Sequence, residues 1–377
     1  MEIKAINNSD PFWSRPFQFE GTAMLPNVLL MCKLIVLLLI AHHIFIKIDD
    51  PFIPFIPALD VFHTIPNVFK LGLRSLLFIS VTTLFFNLYV RTSAIVIGSI
   101  IILSILASKP NFYNHTFICG CALFLAGLTN KEHPPYLLFI QLGLVYFGAS
   151  INKMLDLDWW TGAFMHNWLA VARENPFYLT VSNWFPEFWF AKFLSWTAFI
   201  TEFIIAFMII SKKYRSFGIW FIIIFHTLLF TMTSFRYGHF IESLALILLA
   251  FLVWPKNKMY VEYKPYKYKM FRQLVCILDW DKKIIWKERN LDKSTSIRLS
   301  TETKTVSNDV AIKDIILYTP AFYIIILASD MALYIILYNH RTTLFILNVI
   351  TIWALIIYFL PINWPKYYSH LTSTIYK

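Results

Sequence analysis

Residues 193–210 read FLSWTAFITEFIIAFMII, and Glu202 is the only ionisable residue among them. At a rise of about 1.5 Å per residue, a run of this length nearly crosses the hydrocarbon core of a bilayer, which takes about 20 apolar residues. The following stretch repeats the pattern: SFGIWFIIIFHTLLFTMTS, residues 216–234, holds one titratable group, His226. Two such runs in succession mark a membrane bundle rather than a soluble core. The whole chain agrees. Of its 377 residues 58% are hydrophobic and 15% charged, with a mean hydropathy of +0.60, whereas soluble domains carry about 25% charged residues. The 36 Phe and 13 Trp suit lipid-facing helices with interfacial rings.

Working outward from these runs, spans are predicted near 28–47, 71–90, 93–108, 114–129, 135–154, 194–211, 216–234 and 238–255. Two further apolar runs, 315–338 and 343–361, suggest a hairpin, the first interrupted by Asp330. The expected fold is an all-α polytopic membrane protein, a bundle of eight to ten transmembrane helices with a small basic extramembrane appendage. Four regions follow: an N-terminal cytoplasmic segment, 1–27, with no cleavable signal peptide apparent; a transmembrane domain, 28–255; a basic cytoplasmic appendage, 256–313; and a C-terminal hydrophobic hairpin and tail, 314–377.

Charge sets the expected orientation. The net charge is +11, and residues 256–313 hold 14 Lys/Arg against 7 Asp/Glu, so +7 of the excess sits in one segment. With Arg91, Lys131 and the Lys212, Lys213, Arg215 cluster, that segment falls on one side, the cytoplasmic one by the positive-inside bias. Charge gathered in this way points to anionic headgroups and not to nucleic acid. The connection 155–193, with Trp159, Trp160, Trp168, Trp184 and Trp189, is expected outside, along the membrane surface. Within the appendage, MYVEYKPYKYKMFRQLVCILDWDKKIIWKERN reads as strand, helix, strand. It resembles the thioredoxin-like domains fused to some membrane proteins, without their redox CxxC pair. Cys32, Cys119, Cys121 and Cys276 form no metal or disulfide pattern. No His or carboxylate spacing along the chain gives a metal signature, so no metal is expected.

An ionisable residue inside a bilayer is costly and needs either a route to water or a function. Glu202 and His226 sit mid-span; as a hydrogen-bonded pair they would register two helices, and as a site they would do chemistry. His42, His43, His115, Lys153, His239 and Glu242 cluster at helix ends in what should be the outer leaflet, under the aromatic loop, as in a pocket open to that side. Lys153 either snorkels to water from a helix C-terminus or, desolvated among Phe-rich helices, acts as a base.

Several blocks carry a family resemblance. KPNFYNHTFICGCALFLAGL holds Asn114, His115 and Thr116, and LVYFGASINKMLDLDWWTG holds Lys153, Leu155, Asp156, Asp158, Trp159 and Gly162. Glu202 follows in the next helix, Phe225 and His226 in the one after, and Gly238 and Phe240 beyond; Tyr89 and Arg91 fit a Tyr-Arg helix end. Over roughly residues 20–255 the chain resembles vitamin K-dependent gamma-glutamyl carboxylase and the broader bacterial family that shares its membrane domain, HTTM. The resemblance implies a lyase-type reaction in the cell membrane. A lysine deprotonates a reduced quinone of the vitamin K or menaquinol type. Oxygenation turns the quinone into an epoxide, and the strong base so formed removes a γ-proton from a glutamate in a peptide or protein substrate. Carbon dioxide then traps the carbanion, the Asn-His histidine serving that half. It gives Lys153, His115, Glu202 and His226 as the catalytic residues. Two departures stand out. In the carboxylases the base lysine directly precedes Leu-Asp-x-Asp-Trp, where Met154 stands here, one residue or about 100° of helix beyond Lys153. A short basic appendage also takes the place of their large peptide-gripping domain. The alternative function is a non-catalytic membrane partner in peptide maturation or export, its polar residues holding helices together.

Overall fold

The computed structural model describes residues 12–232, 238–251, 257–279, 282–292, 294–302, 304–319 and 321. It is mostly helical: α1 (Pro26–Ala41), α2 (Ile44–Lys47), α3 (Pro66–Phe85), α4 (Val90–Leu106), α5 (Asn114–Leu128), α6 (Tyr136–Leu155), α7 (Leu157–Thr161), α8 (Ala163–His166), α9 (Pro176–Ser182), α10 (Trp189–Ile210), α11 (Arg215–Met232), α12 (Gly238–Leu248), α13 (Pro265–Leu278) and α14 (Asp309–Leu317). A helix forms at each of the eight positions expected before the appendage. Three of them, α3, α6 and α10, are long and apolar enough to cross a membrane; α1, α4, α5, α11 and α12 with its extension to Phe251 are shorter apolar helices. The expected hairpin lies outside the described residues from 322 onward.

Local chemistry sets many of the ends. Pro26, Pro66, Pro176 and Pro265 open their helices, where a missing N–H costs nothing. C-terminal carbonyls are taken up by arginines: Arg91 donates to the carbonyls of Gly127 and Leu128 at the end of α5, and Arg215 to those of Ile209 and Ile210 at the end of α10. The long helices present exposed apolar side chains, among them Leu71, Phe78 and Ile79 on α3, Leu144 on α6 and Ile200 and Phe207 on α10, as lipid requires.

The chain divides into two compact units, the larger built from residues up to 142 and again from 229 on, the smaller from 143–228. In the larger, α4 and α5 meet through glycines. A Cβ on Gly98 would lie 2.5 Å from the Phe124 nitrogen, and one on Gly127 2.5 Å from the Arg91 carbonyl, so only a bare Cα permits this approach. Asn27 at the start of α1 donates to the Ala250 carbonyl at 2.9 Å. Lys33, buried in α1, donates to the carbonyls of Arg15, Pro16 and Gln18, folding the N-terminal segment back on the helix, and its ammonium lies 4.8 Å from the Phe19 ring centroid. Asn87 holds the Arg15 and Gln18 carbonyls from the α3–α4 turn.

The appendage corrects the all-α expectation. Its strand–helix–strand opening is present as β1 (Met259–Tyr263), α13 and β2 (Ile284–Glu288), and the chain adds β3 (Ile297–Ser300), β4 (Thr305–Ser307) and α14. The sheet order is β2-β1-β3-β4, with β1 parallel to β2 and antiparallel to β3, and β3 antiparallel to β4. Met259, Val261 and Tyr263 alternate inward, the period-2 pattern that favours a strand over a helix. α14 packs on β3 and β4, so the folded appendage continues to Leu317, past the expected boundary at 313. Asp279 ties the α13–β2 turn by accepting the N–H groups of Lys283 and Ile284; burial pushes its carboxyl above the ordinary value and these two hydrogen bonds pull it back. The buried Lys283 pairs with Glu20, anchoring the sheet to the N-terminal segment.

Candidate functional site

The Leu-Asp-x-Asp-Trp block owes its shape to its own residues. Asp156 breaks α6 from α7 by capping α7, its carboxylate accepting the Asp158 N–H at 3.0 Å. Gly162 closes α7 at φ +81°, and a Cβ there would come within 2.6 Å of the Lys192 nitrogen on α10. The Trp160 indole donates to the Met154 carbonyl at 2.7 Å and that of Trp196 to the Trp160 carbonyl at 3.2 Å, locking the turn against α10. Trp159 is buried, and the Lys153 ammonium lies 5.2 Å from the centroid of its indole ring.

In this frame Lys153 does not reach for water. Its ammonium lies 2.5 Å from the Glu202 carboxylate and 3.4 Å from the Ala149 carbonyl. The Lys153 side chain is 19% exposed and that of Glu202 9%. The Lys153 ammonium thus faces α10. Ser150, one turn back, donates to the Phe199 carbonyl at 2.8 Å and fixes the register of the two helices.

Glu202 and His226 do not pair with each other. The His226 Nε2 instead lies 2.7 Å from the Tyr146 hydroxyl, both side chains buried. Tyr146 was not singled out by the sequence. It lies seven residues before Lys153, two helical turns back and so on the same face of α6, but a tyrosine in an aromatic-rich helix carries no mark of its own.

A second group forms in the larger unit, where His115 belongs. The C-terminus of α1 supplies His42, the N-terminus of α5 supplies His115, and the first turn of α12 supplies His239 and Glu242. One Glu242 oxygen lies 3.3 Å from His42 Nε2 and 3.3 Å from His239 Nδ1. The His115 ring centroid lies 5.6 Å from that of His42 and 5.5 Å from that of His239. Four of the six titratable residues expected to converge thus do so. His43, exposed at φ 60°, is not among them, and Lys153 is partnered in the smaller unit.

These apolar helices and polar groups are those of a helical membrane protein. Residues 129–253 match the HTTM domain family. The match runs from just before α6 through α12 and covers Lys153, Glu202, His226, His239 and Glu242, while the Asn114-His115-Thr116 block lies ahead of it. No curated protein matches the chain, and no solved structure does.

Proposed function

We propose that the chain is a multi-pass protein of the cell membrane, with eight to ten spans, that carries out gamma-carboxylase-like chemistry on a lipid-soluble quinol of the vitamin K or menaquinol type. The observation that supports it most is the Lys153–Glu202 pair held among rings. An ammonium beside a carboxylate in a water-poor site forms a net-neutral unit, and moving the proton from nitrogen to oxygen leaves it neutral. Lys153 can thereby present a free amine without building up charge in low dielectric. Trp159 beside that amine, and Trp160 at 5.0 Å between ring centroids from Phe199, offer flat apolar walls suited to an aromatic ring entering from lipid. When bound, a quinol supplies a weakly acidic hydroxyl and, on oxygenation, the strong base required for proton abstraction from a glutamate.

In this reading Lys153 receives the quinol proton and Glu202 orients Lys153 and relays the proton onward. His226, fixed by Tyr146, supplies an imidazole, and His115 serves the carboxylation half. The substrate of that half is a peptide or protein glutamate. The test is quinol turnover by the purified protein with Lys153→Met and Lys153→Arg. Both should lose at least about a hundredfold in rate, because neither side chain can take a proton, while elution and melting stay near those of the parent. Full activity in Lys153→Arg ends the base assignment. Absence of quinol turnover in the parent would favour the non-catalytic partner, whose paired polar groups serve packing alone.

A further inference from the structure

We propose that His42, His239 and Glu242 form a binding site for a divalent transition-metal ion at the end of the bundle where α1 finishes and α5 and α12 begin. One donor atom from each residue lies within 4.8 Å of the other two. Two imidazole nitrogens and one carboxylate oxygen are the donor set of mononuclear zinc and non-haem iron centres that keep open positions. The spacing fits as well. Donors about 2.1 Å from a common ion at tetrahedral angles stand about 3.4 Å apart, and both nitrogens stand 3.3 Å from the same Glu242 oxygen.

Two further observations point to a missing partner. His115 Nε2, on the ring beside the group, is a buried atom with no hydrogen-bond partner among the described residues. Buried imidazole nitrogens left in this way are costly. Three imidazole rings lie within 5.6 Å of one another around a single carboxylate, a concentration of nitrogen donors larger than one hydrogen-bonded pair requires. His115 lies beside the group, its ring centroid 5.6 Å from that of His42 and 5.5 Å from that of His239. Access is built in: His42 and Glu242 are buried, whereas the His239 side chain is 48% exposed, so an ion can enter past that ring. Only His239 and Glu242 share a helix, and His42 comes from the end of α1, so spacing along the chain shows a pair and not the full set.

The site belongs to the larger unit and Lys153 to the smaller, and the proposal does not depend on the quinol reading. Protein purified in detergent, stripped with chelator and then dialysed against Zn2+, Fe2+ or Mn2+ singly, should retain about one equivalent of ion per chain by elemental analysis. Glu242→Gln and His239→Ala should each weaken retention at least tenfold, and His133→Ala, an exposed histidine outside the group, should leave it unchanged. His239→Ala changes an exposed ring and guards against loss of fold, and co-elution with the parent protein on sizing checks it. Retention below about a tenth of an equivalent for all three ions, or equal retention by the parent and both ligand variants, overturns the site.

Discussion

Lys153 and Glu202 show how a charge is kept inside a membrane bundle: each neutralises the other, so removing one leaves the survivor uncompensated. Glu202→Gln should destabilise the protein by about 3 kcal/mol, a typical cost of breaking a buried pair, whereas Lys153→Met combined with Glu202→Leu should recover most of that loss. Unfolding in mixed micelles measures both, and a double variant no more stable than the single would show that the pair contributes little. The Tyr146 hydroxyl is a smaller matter. Tyr146→Phe strips His226 of one hydrogen bond and should cost about 1 kcal/mol, in keeping with polar contacts between membrane helices. At this scale the sequence identified the residues but not the partners. Glu202 and His226 declared themselves by standing alone in apolar runs; that Glu202 takes Lys153 and His226 takes Tyr146 depends on the rotation of α6 against α10 and α11, which periodicity does not encode.

Helix positions were the most legible feature, because apolar runs of span length leave few alternatives, and the capping residues sharpen them. Asp156→Ala, removing the cap of α7, should cost about 1 kcal/mol and loosen the turn that carries Trp159 beside Lys153. The glycine contacts between α4 and α5 give a sharper expectation. Gly98→Ala drives a methyl group into the α5 backbone and should cost about 1–3 kcal/mol, while Gly148→Ala, with nothing within 4 Å of the added carbon, should be neutral. Equal melting of the two variants would refute that close approach. β3 and β4 escaped the sequence reading because IRLS and TVS are too short to show alternation, and they exist through pairing with β1 and with each other. α14 escaped because its apolar residues continue into the run that follows, hiding the point where sheet packing ends.

For the whole molecule, side matters more than shape. Among the described cysteines Cys276 is exposed, on α13, while Cys32 and Cys119 are buried. A membrane-impermeant maleimide should therefore label Cys276 only after the membrane is opened, if the appendage is cytoplasmic as its charge predicts. Asn183→Cys, in the aromatic connection, should be labelled in intact cells. The reverse pattern would invert the topology. Lys33 adds a consequence for biogenesis. Its carbonyl acceptors, from Arg15 to Gln18, leave the ribosome before α1 does, so they are at hand as soon as Lys33 emerges with this helix. Delivered without them, α1 would offer the translocon a bare ammonium near its middle, and the order of synthesis itself becomes part of how the first span is recognised.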